Sequence, residues 1–322
     1  MGELQSIGQW WMWASFGVFV IAMLAIDILA LDRKGAHTVS TKEALTWSLI
    51  WFTLALAFGG ALWAWLDHTS GRTIADAKVM EYLTGYLLEK TLAMDNIFVF
   101  VMLFTYFAVP MEYQKRVLVY GVLGAIILRA LMILLGAWLI AEFHWVLYVF
   151  GAFLLVTGIK MFIFADKEPN LAQNPLLKWL KKHMRITDTY HGDKFWVTKN
   201  GIRWFTPMFL VLILVEFSDV IFAMDSIPAI FAITSDPFIV FTSNIFAILG
   251  LRALYFLLAD MANRFHLLKY GLAIILMFVG TKMLIVEWFK IPVAVSLSVV
   301  VAVLSISIIL SLKATRNNSS NL

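Results

Sequence analysis

The sequence predicts an all-α membrane protein of about nine transmembrane helices, and three observations support this fold class. Hydrophobic residues make up 61% of the 322 residues, charged residues make up 14%, and the mean hydropathy is +0.85. Apolar runs of roughly 20 residues, the length that crosses a hydrocarbon core as a helix, recur along the chain. Loops rich in Lys and Arg alternate with loops that hold few, which is the pattern expected when the spans are placed correctly.

The predicted spans follow one another with short connections, except after the fifth. They cover residues 10–31, 44–66, 81–108, 117–141, 145–165, 204–232, 238–259, 268–288 and 291–312. The first run has no basic region before it and no small-residue cleavage site after it, so we expect it to be retained as a span. The basic loops place the N-terminus outside and the C-terminus in the cytoplasm.

An internal repeat divides the chain. Glu89 and Ala-Met-Asp95 in the third span align with Asp219 and Ala-Met-Asp225 in the sixth at an offset of 130 residues, and Arg129 aligns with Arg252 at an offset of 123. Each copy holds three spans, so the second copy enters the membrane in the opposite orientation, as in transporters with inverted repeats. The predicted segments are an N-terminal two-helix region 1–80, a first repeat 81–165, a cytoplasmic loop 166–203, a second, inverted repeat 204–288, and a C-terminal helix and tail 289–322.

The long loop contains a basic amphipathic stretch that begins near Pro175. Such a stretch is typical of a helix that lies on the membrane surface. An interfacial linker is the favoured interpretation, and a regulatory or partner-docking role is the alternative.

Five acidic residues lie in the interior of the third and sixth spans, where a charge must be paired or must line a polar cavity. They are Glu89, Asp95, Glu216, Asp219 and Asp225. Positions seven apart share a face of a helix, so Asn96 joins Glu89 and Ser226 joins Asp219. Oxygen ligands of this kind favour manganese, magnesium or calcium. The sequence therefore predicts a divalent-cation site at these carboxylates.

Two further features bear on this site. Met94 and Met224 adjoin the repeated aspartates and could add a thioether ligand, although packing is the favoured role for both. Asp225 would point about 120° away from Asp219 on a regular helix. A break caused by Pro228 would expose carbonyl groups and swing Asp225 toward Asp219.

The alternative to a cation site is a set of buried ion pairs between these acids and Arg129, Arg252 or Lys90. Five acids exceed what the two repeated arginines require, so we assign Arg129 and Arg252 to charge balance and favour the cation site. Protons would compete with the cation for the carboxylates, which is the physical basis of an antiporter. No P-loop is present, so a gradient is the expected energy source.

At these motifs the chain resembles the TerC family, and in particular its Alx branch. The segments that carry the resemblance are Glu89-Lys-Thr-Leu-Ala-Met-Asp95-Asn96, Val215-Glu216-Phe-Ser-Asp219 through Asp225-Ser-Ile-Pro228, and Leu251-Arg252-Ala-Leu-Tyr255. The resemblance implies a multi-pass protein of the bacterial inner membrane, a LysE-like inverted repeat, functional acids at the five positions above, and manganese export.

The function expected from the sequence is therefore manganese(II) export coupled to the proton gradient. The alternative is a membrane-embedded factor that assists metalation or insertion of exported proteins. An enzyme is not expected, because protease and hydrolase motifs are missing. We expect no permanently bound cofactor and no nucleic acid; the expected partners are the dication, protons and lipid, and no protein partner is identified.

Overall fold

The structure of the protein is a computed structural model. The structure describes residues 6–34, 40–143, 145–163, 175–199, 201–258, 267–289 and 291–319, and within these ranges it leaves out the side chains of residues 27–34, 94, 95, 98 and 314–319. The prediction that Asp95 binds a metal, and the roles considered for Met94, therefore concern side chains outside those that the structure describes.

The described chain is almost entirely helical, as its composition predicts. The helices are α1 Trp10–Lys34, α2 Thr41–Ser70, α3 Arg72–Tyr106, α4 Met111–Glu142, α5 Val146–Ile163, α6 Pro175–His183, α7 Pro207–Phe231, α8 Pro237–Leu249, α9 Leu251–Leu258, α10 Leu268–Leu284 and α11 Val293–Ser319. Two short strands, β1 Trp196–Lys199 and β2 Ile202–Phe205, pair antiparallel between α6 and α7.

By length and composition, five of the described helices can cross a membrane: α2, α4, α5, α7 and the apolar part of α11. A sixth candidate is the pair α8 and α9, which is bent by 41° at Gly250. Helix α3 has 35 residues, enough to span, but charged residues such as Glu89 and Lys90 exclude it from this apolar set. The structure thus confirms a multi-pass helical protein.

Helices α5 and α10, the third helices of the two repeated segments, pack tightly through glycines. A Cβ atom on Gly158 would lie 2.9 Å from the carbonyl oxygen of Ala273, and one on Gly280 would lie 2.7 Å from that of Gly151. The offset of 122 residues that relates Gly158 to Gly280 also relates Gly151 to Ala273. The two halves of this contact are therefore equivalent under the sequence repeat. Small residues allow such close approach where lipid gives no hydrophobic driving force between helices.

The expected break at Pro228 is absent, and this part of the prediction is wrong. Helix α7 continues through Pro228 and ends at Phe231. Proline removes one amide donor, and so close to the end of the helix this loss does not unwind the preceding turn. The break lies instead in the following span, at Gly250 between α8 and α9.

Residues 175–206 form a folded cap on the ends of the helices. Leu177 and Leu180 of α6 are buried in a cluster with Phe104 and Val109, so the apolar face of α6 contacts protein. The position of this segment at the membrane surface, favoured from the sequence, stays a prediction. The strand pair was also not predicted, although Asn-Gly at 200–201 is a strong hairpin signal and Gly201 has a φ of +75°.

The cap joins the end of α3 to the start of α7. The Tyr190 hydroxyl donates to the carbonyl oxygen of Phe107 at 2.6 Å, and burial raises the pKa of Tyr190 to about 12, so this donor remains protonated. The Thr206 hydroxyl donates to the carbonyl oxygen of Lys194 at 2.6 Å, and Arg116 pairs with Asp193. These contacts hold the first repeated segment to the second on one face of the protein.

We expect Tyr190→Phe to loosen the cap by about 1 kcal/mol, because a single hydrogen bond is lost and the ring is kept. Hydrogen exchange measured by mass spectrometry should become about fivefold faster in peptides from residues 186–206. The control is Tyr106→Phe, since Tyr106 is 45% exposed. Equal exchange in wild type and Tyr190→Phe would contradict the role of this bond.

Candidate functional site

A buried ion cluster joins three helices at the centre of the protein. Glu89 of α3 and Arg129 of α4 are each 1% exposed, and Asp219 of α7 is 3% exposed. Arg129 Nη1 donates to Glu89 Oε1, and Arg129 Nη2 lies 3.7 Å from Asp219 Oδ1. The guanidinium therefore bridges an acid from each repeated segment. From the sequence, the alternative to a cation site is a set of buried ion pairs. The structure has such a pair at Glu89 and at one oxygen of Asp219.

Asn244 of α8 holds Arg129 in place and was not identified from the sequence. Its Oδ1 accepts from Arg129 Nη1 at 2.9 Å, and its Nδ2 donates to the carbonyl oxygen of Val240 at 3.1 Å. Asn244 is fully buried. A single amide in the apolar run of α8 was the available signal, because a polar side chain within a membrane span requires a partner.

Asn96 and Ser226, which were predicted to join the acids of their own copies, also reach the cluster. Each of them instead lies against the acid of the other copy. Asn96 Nδ2 donates to Asp219 Oδ1 at 3.3 Å, and Ser226 lies next to Glu89 without forming a hydrogen bond of acceptable geometry. The offset of 130 residues relates Asn96 to Ser226 and Glu89 to Asp219, so the two contacts are equivalent under the repeat.

Several buried oxygens of this cluster have no hydrogen-bond partner within the described ranges. They are Asn96 Oδ1, Asp219 Oδ2, Ser226 Oγ and Glu216 Oε2. Buried polar atoms are normally satisfied, so a group of unsatisfied acceptors from α3 and α7 indicates a place where a cation or water can bind.

Glu216 lies against the backbone of α4. A Cβ atom on Gly124 would overlap the Glu216 carboxylate, so only glycine at this position admits it. Glu216 is also close enough to Asp219 for the two negative charges to repel each other. Glu216 thus adds a third carboxylate beside the cluster, and its repeat counterpart is Tyr86.

Arg252 occupies a different environment from its repeat counterpart Arg129. It is 9% exposed and lines a cavity of about 10 Å³ together with Asp219 and Gly121. This volume holds about one water molecule. Gly121 of the first copy is the repeat counterpart of Asn244 in the second, so a cavity lies beside Arg252 where an amide lies beside Arg129.

Asp225 and Met224 lie away from the central cluster. The Asp225 side chain is near Thr157 of α5. Met224 is 50% exposed and lines an apolar groove of about 300 Å³ formed by α4, α5 and α7. The intact helix at Pro228 explains this, because Asp225 stays about 120° around α7 from Asp219.

Among the side chains that the structure describes, no group of three or more His, Cys, Asp or Glu residues is arranged to hold a metal ion. A dication at the centre would therefore need the Asn96 and Ser226 oxygens as well as carboxylates. It would also meet Arg129, which already bridges Glu89 and Asp219.

We expect Gly124→Ala to destabilise the protein by about 1 to 3 kcal/mol, because the new methyl group overlaps the Glu216 carboxylate. In the double variant Gly124→Ala/Glu216→Ala, much of the loss should be recovered. Thermal unfolding in detergent measures both. The matched control is Gly60→Ala, whose Cβ would have no neighbour within 4 Å. Additive effects of the two substitutions would contradict this contact.

The family model of the integral membrane protein TerC family matches residues 74–319. Similar proteins from Salmonella typhi and Escherichia coli strain K12 are 56% and 57% identical over 308 residues, which is 96% of this chain and 96% of each relative, and both carry the name membrane-bound redox modulator Alx. A relative of the same name from Photorhabdus laumondii is 52% identical over 319 residues, covering 98% of this chain and 100% of its own. No solved structure matches.

Proposed function

Because the chain belongs to the TerC family of integral membrane proteins, we propose that it is a divalent-cation transporter that exports manganese(II) across the bacterial inner membrane. The observation that carries this proposal is the set of unsatisfied buried oxygens on Asn96, Asp219 and Ser226, which α3 and α7 bring together around Glu89 and Arg129. These are hard oxygen ligands, which suit manganese better than zinc or copper.

The mechanism follows from the place of Arg129. Its guanidinium links Glu89 to Asp219, and a dication at the same place would link the same two acids, Glu89 and Asp219 through Oδ2, with the Asn96 amide oxygen as a further ligand. Binding would then exchange one bridging cation for another: the carboxylates stay paired with the dication, and the displaced Arg129 guanidinium keeps its hydrogen bond to Asn244 Oδ1. Protons that compete for the carboxylates couple this exchange to the proton gradient.

Nine spans and an inverted repeat fit this mechanism, because alternating access moves one repeat against the other around a central site. The packing supports the repeat: α3 packs on α8 as α4 packs on α7, and the glycine contacts of α5 with α10 are equivalent. We propose that the N-terminus is outside and the C-terminus is cytoplasmic, with Arg129 and Arg252 on repeated helices of opposite direction.

Exposed tryptophans support the same placement of the spans. Trp10 at the start of α1, Trp138 near the end of α4, Trp145 just before α5 and Trp288 between α10 and α11 are 57% to 85% exposed. In the nine-span arrangement all four fall at one membrane face, as expected for an aromatic belt.

The name of the relatives raises the question of a redox role. This chain contains no cysteine, so its own side chains cannot carry out thiol–disulfide exchange. Control of the supply of a redox-active metal ion is a route by which a transporter affects redox reactions elsewhere. We therefore place the redox effect of such proteins downstream of metal transport.

The first test of the proposal is manganese flux into proteoliposomes. We expect Asp219→Asn to lower the initial rate at least tenfold, because Oδ2 loses its charge and its role as a ligand. The control is Asp67→Asn, since Asp67 lies at the end of α2 near Arg72 and outside the cluster. A folded wild-type protein that moves no manganese would refute transport and favour the assembly-factor alternative.

The exchange of bridging cations has a separate test. Arg129→Met should destabilise the protein by about 3 to 5 kcal/mol, because it leaves Glu89 and Asp219 without their shared cation. Manganese should then raise the unfolding temperature of the variant more than that of wild type, since the metal replaces the missing charge. Sodium at equal ionic strength is the control. Equal shifts in both proteins would exclude a shared place for Arg129 and the metal.

A further inference from the structure

Lys90 is a partly buried cation in the middle of the protein that the proposed transport mechanism does not use. It lies near the midpoint of α3, and neighbouring positions on a helix point about 100° apart, so it faces away from Glu89. Its Nζ donates to the carbonyl oxygen of Ala247 in α8 at 3.3 Å. Of the carboxylates whose side chains the structure describes, none acts as its ion-pair partner.

The acceptor of Lys90 lies at the broken end of a helix. Helix α8 ends at Leu249, and α9 leaves it at an angle of 41° after Gly250. The last four carbonyl groups of a helix lack amide partners, and this end carries a partial negative charge. Inside a membrane an unsatisfied carbonyl group is destabilising. The break at Gly250 therefore leaves a helix end that attracts a positive charge.

The side chain of Lys90 fits closely against this break. A Cβ atom on Gly250 would lie 2.5 Å from Lys90 Nζ and 3.3 Å from Trp51 Cβ. Glycine at 250 thus leaves just the space that the ammonium group occupies. In general, the C-terminal ends of broken helices in membrane transporters bind free monovalent cations.

We propose that the C-terminal end of α8 is a monovalent-cation site that Lys90 fills with its own ammonium group. The tethered cation satisfies the Ala247 carbonyl and stabilises the bend at Gly250 without a free ion. Arg252 lies two residues beyond the bend and lines the cavity at Asp219, so Lys90 also positions Arg252. The site is distinct from the carboxylate cluster, and this inference does not depend on manganese being the substrate.

The test uses the unfolding temperature of the full-length protein in detergent. Lys90→Ala removes the ammonium and leaves its space open, whereas Lys90→Met fills the space without a charge. In a buffer whose only cation is N-methylglucamine, both variants should unfold about 5 °C below wild type. Ethylammonium, or sodium, should restore Lys90→Ala by most of this shift and leave Lys90→Met unchanged. The control is Lys178→Ala on the exposed face of α6.

Each outcome decides the proposal. A Lys90→Ala protein that folds only in ethylammonium supports it, and one that misfolds in every cation overturns it. Wild-type stability of Lys90→Ala in N-methylglucamine, or equal recovery of the Ala and Met variants, also overturns it.

In the flux assay we expect Lys90→Ala to lower the maximal manganese rate at least fivefold with little change in KM, and ethylammonium to restore the rate. Failure of wild type to move manganese would refute only the proposed function.

Discussion

The structure depends on one buried interaction, the Arg129 guanidinium that joins Glu89 of the first repeated segment to Asp219 of the second. Ionised groups in a membrane interior are costly unless they are paired, so neither acid can leave this cluster without another cation. The need for this pairing explains why Asn244, an amide in an apolar helix, is fully buried with both ends bonded. It also explains why α3, with its charged residues, is surrounded by α2, α7, α8 and α11.

Close helix packing provides the second constraint. Lipid is as apolar as the side chains, so helices associate through van der Waals contact and hydrogen bonds, and small residues permit that contact. Gly151, Gly158 and Gly280 serve this purpose between α5 and α10, while Gly124 admits the Glu216 carboxylate against α4. The same residue type therefore supports both packing and the site. A glycine that merely fills a helix cannot be distinguished in the sequence from one that makes room for a charge.

The sequence predicted those features that depend on local pattern and repetition. The helical membrane fold and the burial of Glu89, Asp219 and Arg129 follow from apolar runs and from the cost of charge in lipid, while the inverted repeat stays a prediction. Features that depend on contacts between distant segments could not be predicted. Asn244 and Lys90 act on groups 115 and 157 residues away. The break was predicted at Pro228 and occurs at Gly250, because a proline near a helix end loses one bond, whereas the bend at Gly250 is stabilised by the Lys90 side chain.

Departures from the repeat decide what the two halves can do. Glu216 corresponds to Tyr86, and Asn244 corresponds to Gly121. Under the proposed mechanism, a cation that approaches along α7 would meet an added carboxylate and a small cavity, whereas one that approaches along α3 would meet a phenol. The proposed mechanism therefore implies a different affinity at each face of the membrane. Such a difference changes the transport rate and the cation concentration that half-saturates the site on each side. It leaves the equilibrium distribution of the cation unchanged, because the free energies of binding and release cancel over a full cycle. Net export, as proposed, therefore requires coupling to a gradient, and the carboxylates proposed to bind the metal are the groups through which protons would supply it.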